Sequence, residues 1–150
     1  MTLDKAVGIA VADGRSADGT TGGREATCSA TTLPNSEQHC AHTVSIGANV
    51  PATLTVANGE DEENTDLVNT ADSSAVIPAQ DGTAVVHGTA GWNITGGSLA
   101  NKAITTSAQT VDSLAAAGEK DVNMTYNFAT NPDQKAGTYQ DVITYTITAN

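Results

Sequence analysis

Asp121-Val122-Asn123-Met124-Thr125-Tyr126-Asn127-Phe128 and Thr138-Tyr139-Gln140-Asp141-Val142-Ile143-Thr144-Tyr145-Thr146-Ile147-Thr148 are the two stretches whose alternation decides the fold. In the first, bulky apolar or aromatic side chains fall on every even position, and Asp, Asn and Thr fall between them. In the second, Ile143, Tyr145 and Ile147 alternate with threonines. A period of two is that of a strand with one face in a core and the other in water. The segment Ala129–Gly137 (ATNPDQKAG) between them carries Pro, Asn and Gly and reads as a turn.

Working back from this end, the chain is a series of similar short runs. Val44-Ser-Ile46 leads to Val50-Pro-Ala-Thr-Leu54-Thr-Val56, where Pro51 confines the strand start to an edge or a bulge. An acidic loop at 58–69 (NGEDEENTDLVN) is followed by Ser74–Ile77, a turn at 78–82, Thr83–His87, and Gly91–Thr95 around the single tryptophan. Val111–Ala117 admits one helical turn closed by Gly118, or none. Near the start, Leu3, Val7, Ile9 and Val11 alternate with smaller residues and predict a strand whose bulky side points into a core. Residues 13–24 (DGRSADGTTGGR) hold nothing to bury and predict a flexible connector. The expected organisation is an amino-terminal strand in 1–13, a connector in 14–27 and a domain in 28–150. That domain is an all-β, antiparallel, immunoglobulin-like sandwich of about seven or eight short strands.

Composition bounds the function. The chain has 150 residues, one domain's worth, with 23 threonines and 3% aromatic residues. Seventeen acidic residues against six basic ones give a net charge of −11. No basic stretch exists to neutralise a phosphate backbone or an anionic bilayer, so neither nucleic acid nor a membrane surface is an expected partner. No apolar run approaches the ~20 residues of a spanning helix. The start, Met1-Thr-Leu-Asp-Lys5, lacks the layout of a signal peptide, and the expectation is a mature chain with an added Met1.

Cys28 and Cys40 are the only cysteines, and the segment between them has turn residues and no periodicity. It reads as a loop stapled by a disulfide, which in the chain-entropy model adds roughly 3 kcal/mol. A disulfide implies an oxidising compartment such as a cell surface. A zinc reading, suggested by His39 and His42 beside Cys40, lacks the closely spaced cysteine pair usual in such sites.

The stretch Ala136–Thr148 resembles the final hairpin of bacterial surface modules of the tryptophan-x-leucine type. It is also similar to the last strand of fimbrial and spore-coat-U-like pilin subunits. The two motifs of the former would be Trp92-Asn-Ile94 and Tyr145-Thr-Ile147, both departing from the strict pattern. The resemblance implies a non-catalytic extracellular sandwich belonging to a surface protein or appendage. In pilins assembled by donor-strand exchange, an amino-terminal strand fills a groove in the next subunit, and Leu3, Val7, Ile9 and Val11 are similar in layout. Two readings stand open: insertion into a neighbouring copy, and pairing within the same chain.

Candidate sites elsewhere are few. His39, His42 and His87 lie in no catalytic motif and read as surface or strand-end residues, so no enzymatic activity is expected. Asp61, Glu63 and Asp66 of the acidic loop are the candidate calcium ligands, though the alternating order of a calcium loop is missing. No other cofactor is expected. Trp92, Tyr139, Tyr145 and Ile147 are the expected large pieces of the core. The leading expectation is a structural subunit that self-associates into a filament or surface assembly. The alternative is a monomeric adhesive or calcium-dependent module for a host protein or glycan.

Overall fold

The computed structural model describes residues 7–12, 35–59 and 65–150, the side chains of residues 10–12 excepted. Among them every regular element is a strand. In chain order these are β1 (Val7–Ala12), β2 (Glu37–Ala48), β3 (Ala52–Asn58), β4 (Leu67–Asn69), β5 (Asp72–Ile77), β6 (Gly91–Gly96), β7 (Leu99–Lys102), β8 (Gln109–Leu114), β9 (Gly118–Ala129), β10 (Tyr139–Gln140) and β11 (Ile143–Ala149). A five-stranded sheet has the order β1-β2-β9-β6-β7, a second sheet β11-β3-β8, and a small third β10-β4-β5. All the ladders are antiparallel. The fold is thus an all-β antiparallel sandwich as expected, with eleven strands among the described residues rather than seven or eight.

The alternation that predicts the strands also fills the core. Ala52, Leu54 and Val56 of β3 are fully buried, and the threonines between them are half-exposed. Leu54 and Val56 meet Val44 and Ile46 of β2, Trp92 and Ile94 of β6, and Val122, Met124 and Phe128 of β9 in one apolar cluster. Each such side chain contributes about 1.5–3 kcal/mol relative to exposure.

Several expectations are corrected. The two clearest strands do not form a hairpin. After β9 the chain crosses to the other layer, where β11 pairs with β3 over seven positions from Ile143↔Asn58 to Ala149↔Ala52. Thr83–His87 is irregular, because the Gln80 amide holds Thr83 and Ala84 in a turn and Gly82 and Gly88 adopt positive φ. Val111–Ala117 is no helical turn. It forms the end of β8 and a bend, and the helix-like spacing of Val111 and Leu114 arises from a bulge. There Thr55 pairs with Thr110 and Leu54 with Asp112, so Val111 is an extra residue and both apolar side chains reach the core. The loop expected up to His39 is already strand from Glu37, because β9 supplies a partner as far as Ala129.

The β6–β7 turn needs a glycine. Gly97 has φ +57°, and a Cβ there would lie 2.3 Å from the Val111 carbonyl oxygen. Gly97→Ala is therefore expected to cost at least about 2 kcal/mol. Gly82→Ala, at φ +81° with open space around it, should cost about 1 kcal/mol. Urea unfolding of the two variants side by side checks the difference; equal losses would remove the role of the Val111 contact.

Candidate assembly edge

β1 has the sequence VGIAVA, and half of its positions are glycine or alanine. It lies antiparallel to β2 in a regular six-residue register, from Val7↔Ala48 to Ala12↔Thr43. It thus forms one edge of the five-stranded sheet, in the same chain as its partner. Ile9 is half-buried and packs against the core. Val7 was expected to face the core as well, and it is instead 42% exposed. It stands at the end of the ladder, on a shallow surface that it shares among the described residues with Gly47, Ala48, Asn49, Gly118 and Glu119, of which Gly47, Ala48 and Gly118 bring little or no side chain to cover it. Leu3 and the side chain of Val11 lie outside the described residues.

β1 runs beside β11, the edge strand of the second sheet. Ile143, Tyr145 and Ile147 point inward from β11 and pack against the core, yet each stays half-exposed. Behind them lies a polar cluster that sequence reasoning missed. His42 was read as a surface or strand-end residue, but it sits within β2 and is 4% exposed. Its ring stacks on Tyr126 with centroids 4.4 Å apart, and its Nε2 is 3.1 Å from the Tyr145 hydroxyl. The Tyr126 and Tyr145 hydroxyls are also 3.1 Å apart. The cluster joins β2 and β9 of one layer to β11 of the other. Burial pushes the Tyr126 phenol up to about 12, helped by the charge of Asp141, while the bond to Tyr145 opposes the shift. Burial and the neighbouring Tyr126 push Tyr145 further in the same direction. The signal available in the sequence was parity, since His42 shares its face of the strand with Val44 and Ile46.

A second polar network lies on the other face of the larger sheet. The Asn127 amide donates to Asn93 Oδ1 and Thr95 Oγ1, its Oδ1 is 2.7 Å from His39 Nδ1, and Asn93 donates to the Thr83 carbonyl. Asn93 is fully buried, and the irregular segment containing Thr83 covers it. His39 is exposed, and its Nε2 is 3.3 Å from Glu37 Oε1. His87 is exposed in a turn. This network satisfies buried amides.

Trp92 is 2% exposed, and its indole N–H donates to the Thr65 carbonyl at 3.1 Å. Tyr139 is half-buried, donating its hydroxyl to the Lys135 carbonyl and accepting from the Gln134 amide. Of the candidate calcium ligands, Asp61 and Glu63 lie outside the described residues. Asp66 Oδ1 accepts the Ala79 backbone N–H at 2.9 Å, which ties that carboxylate into the turn before β4. Part of the expected acidic loop is itself strand, at Leu67–Asn69. Among the described residues no three His, Cys, Asp or Glu side chains converge as a metal site would require.

Each described lysine is spent on an aspartate. Lys102 pairs with Asp81, Lys120 with Asp112 and Lys135 with Asp72. The lysine partners hold the Asp72 and Asp81 carboxyls below their ordinary range. These surface pairs add little stability, but they leave the remaining carboxylates to set the sign of the surface. Cys40 lies on β2 opposite Tyr126. Cys28, its expected partner, lies outside the described residues. No helix among the described residues is long and apolar enough to cross a membrane.

No family model and no curated protein matches the sequence. The residues themselves therefore carry the functional argument.

Proposed function

We propose that this chain is a non-catalytic structural subunit of a cell-surface appendage or surface layer, with β1 as the strand exchanged between copies. The observation that carries the reading is the placement of β1. It is an edge strand that hydrogen-bonds to β2 alone among the described strands, and its packing is light, with Val7 exposed and Ile9 half-buried. Between antiparallel neighbours a hairpin needs about two to five residues. Here residues 13–36 intervene, a stretch rich in Gly, Ser, Asp and Thr. A strand separated from its partner by so many residues of sequence has a lower effective concentration at its own groove than a hairpin strand, and the same six-residue ladder would form on β2 of another copy.

Main-chain hydrogen bonds would supply the affinity, and Ile9 in the core would set the register. The Thr-rich exterior and the net charge of −11 keep other surfaces solvated and apart. A disulfide between Cys28 and Cys40, consistent with Cys40 not being a free thiol, would anchor the tether to β2 and fits an extracellular location.

Negative-stain electron microscopy of the full chain beside a variant lacking residues 2–13 tests the reading. The expected result is filaments from the full chain that vanish on truncation. Dispersed particles in both samples would remove filament assembly from the account.

A further inference from the structure

Sheet edges are templates for further strands, and proteins protect them with charge, proline, bulges or shortness. In this molecule the edges differ sharply. Among the described residues, β8 is bulged and carries Asp112 paired with Lys120, β7 is four residues long and carries Lys102, β5 carries Asp72, and β10 has two residues. β11 has none of these protections. It runs seven residues, ITYTITA, with no charge and no proline, and its ladder to β3 contains no register shift. Its other side receives no backbone hydrogen bond among the described residues, though β1 runs beside it. Val142, immediately before it, is 44% exposed.

The sequence of this edge also reads the same in both directions. Ile143-Thr144-Tyr145-Thr146-Ile147 is a palindrome centred on Tyr145. In an antiparallel pair related by a two-fold axis at Tyr145, Ile143 faces Ile147 of the other copy, and Thr144 faces Thr146. Every cross-strand pair then joins like with like: threonine with threonine on the outer face, isoleucine with isoleucine on the inner one. Both pairings are favourable on a sheet. The charge distribution favours the same partner. Two bodies of −11 repel over most of their surface, and they approach most cheaply where neither carries a charge.

We infer that the free edge of β11 is a self-association surface, at which two copies of this chain pair β11 with β11 about a two-fold axis at Tyr145. The joined sheet has the order β8-β3-β11-β11-β3-β8, and the half-exposed inner row of Ile143, Tyr145 and Ile147 gains cover in both copies. Such a contact is small and belongs to the weak, concentration-dependent class of interfaces. It uses the hydrogen-bonding edge of the other sheet and not the β1–β2 ladder, although β1 runs beside β11.

Sedimentation equilibrium on the full chain over a range of concentrations tests it. At concentrations below those at which filaments sediment, the wild type is expected to show a monomer–dimer equilibrium. Thr144→Asp with Thr146→Asp places like charges opposite each other, as does Thr144→Lys with Thr146→Lys. Each double variant alone should raise the dimer Kd at least tenfold, by about 1.4 kcal/mol or more. An equimolar mixture of the two, in which every Asp faces a Lys, should recover the dimer. Thr144→Val with Thr146→Val keeps the strand and should keep the dimer, which separates loss of pairing from loss of fold. A wild type that stays monomeric at every concentration overturns the inference. So do charged variants that dimerise as well as the wild type, or a mixture that stays monomeric.

Discussion

Trp92→Ala is expected to destabilise the protein by about 3–5 kcal/mol, much of the stability a domain of this size commonly has. The indole is the largest side chain in the core and is 2% exposed among Ile94, Phe128 and their neighbours. Its loss removes the transfer free energy of the ring and leaves a cavity that the strand backbones on either side cannot collapse to fill. It also removes the donor to the Thr65 carbonyl, the contact that ties the chain entering β4 to β6. Thermal melts followed by far-ultraviolet circular dichroism should show the midpoint falling by roughly 10 °C or more. Trp92→Phe keeps most of the volume and loses the indole donor, so it should cost less than Trp92→Ala. A loss below about 1 kcal/mol for Trp92→Ala would place the indole outside the cooperative core.

Alkaline pH should unfold the protein through the Tyr126–Tyr145 cluster. Both phenols are pushed upward by burial, Tyr126 to about 12. A group whose folded-state value lies above its unfolded value of 10.0 binds its proton more tightly when folded. Its contribution to stability is therefore complete below pH 10 and is lost as pH rises toward 12. Linkage gives about 1.4 kcal/mol per pH unit for each such phenol, so Tyr126 alone accounts for about 3 kcal/mol across that window, and Tyr145 adds to it. Urea midpoints measured from pH 8 to 12 should hold steady and then fall steeply above 10. Tyr145→Phe should cost about 1–2 kcal/mol at neutral pH by removing the hydroxyl shared with His42 and Tyr126, and it should flatten the alkaline fall. A wild-type midpoint that is level to pH 12 would show that the cluster opens to solvent.

The amino-acid sequence by itself determined the class of the fold, because period-two alternation is a local property that survives whatever the strands pair with. β3, β9 and β11 were legible for this reason, with Leu54, Val122, Met124 and Ile147 standing at every second position. The residues that break the pattern were legible only with their neighbours in place. The three-residue spacing of Val111 and Leu114 imitates a helix until the bulge against β3 is seen. The length of β2 back to Glu37 depends on β9 offering a partner as far as Ala129, which no local signal in Glu37–Thr43 announces.

Tertiary structure alone decided the connectivity and the polar interior. That β9 and β11 lie in different sheets follows from β11 finding β3, a pairing between residues far apart in the chain. His42, Tyr126 and Tyr145 come from three strands and two layers, and only their convergence turns an unremarkable histidine into a buried one. The exposure of Val7, against the alternation that placed it inward, has the same origin: a side chain is buried when something covers it, and at the end of the β1 ladder the described neighbours Gly47, Ala48 and Gly118 offer little cover. Alternation is written residue by residue along the chain. Burial, pairing and the choice of edge belong to pairs of segments, and they exist only once the chain has folded.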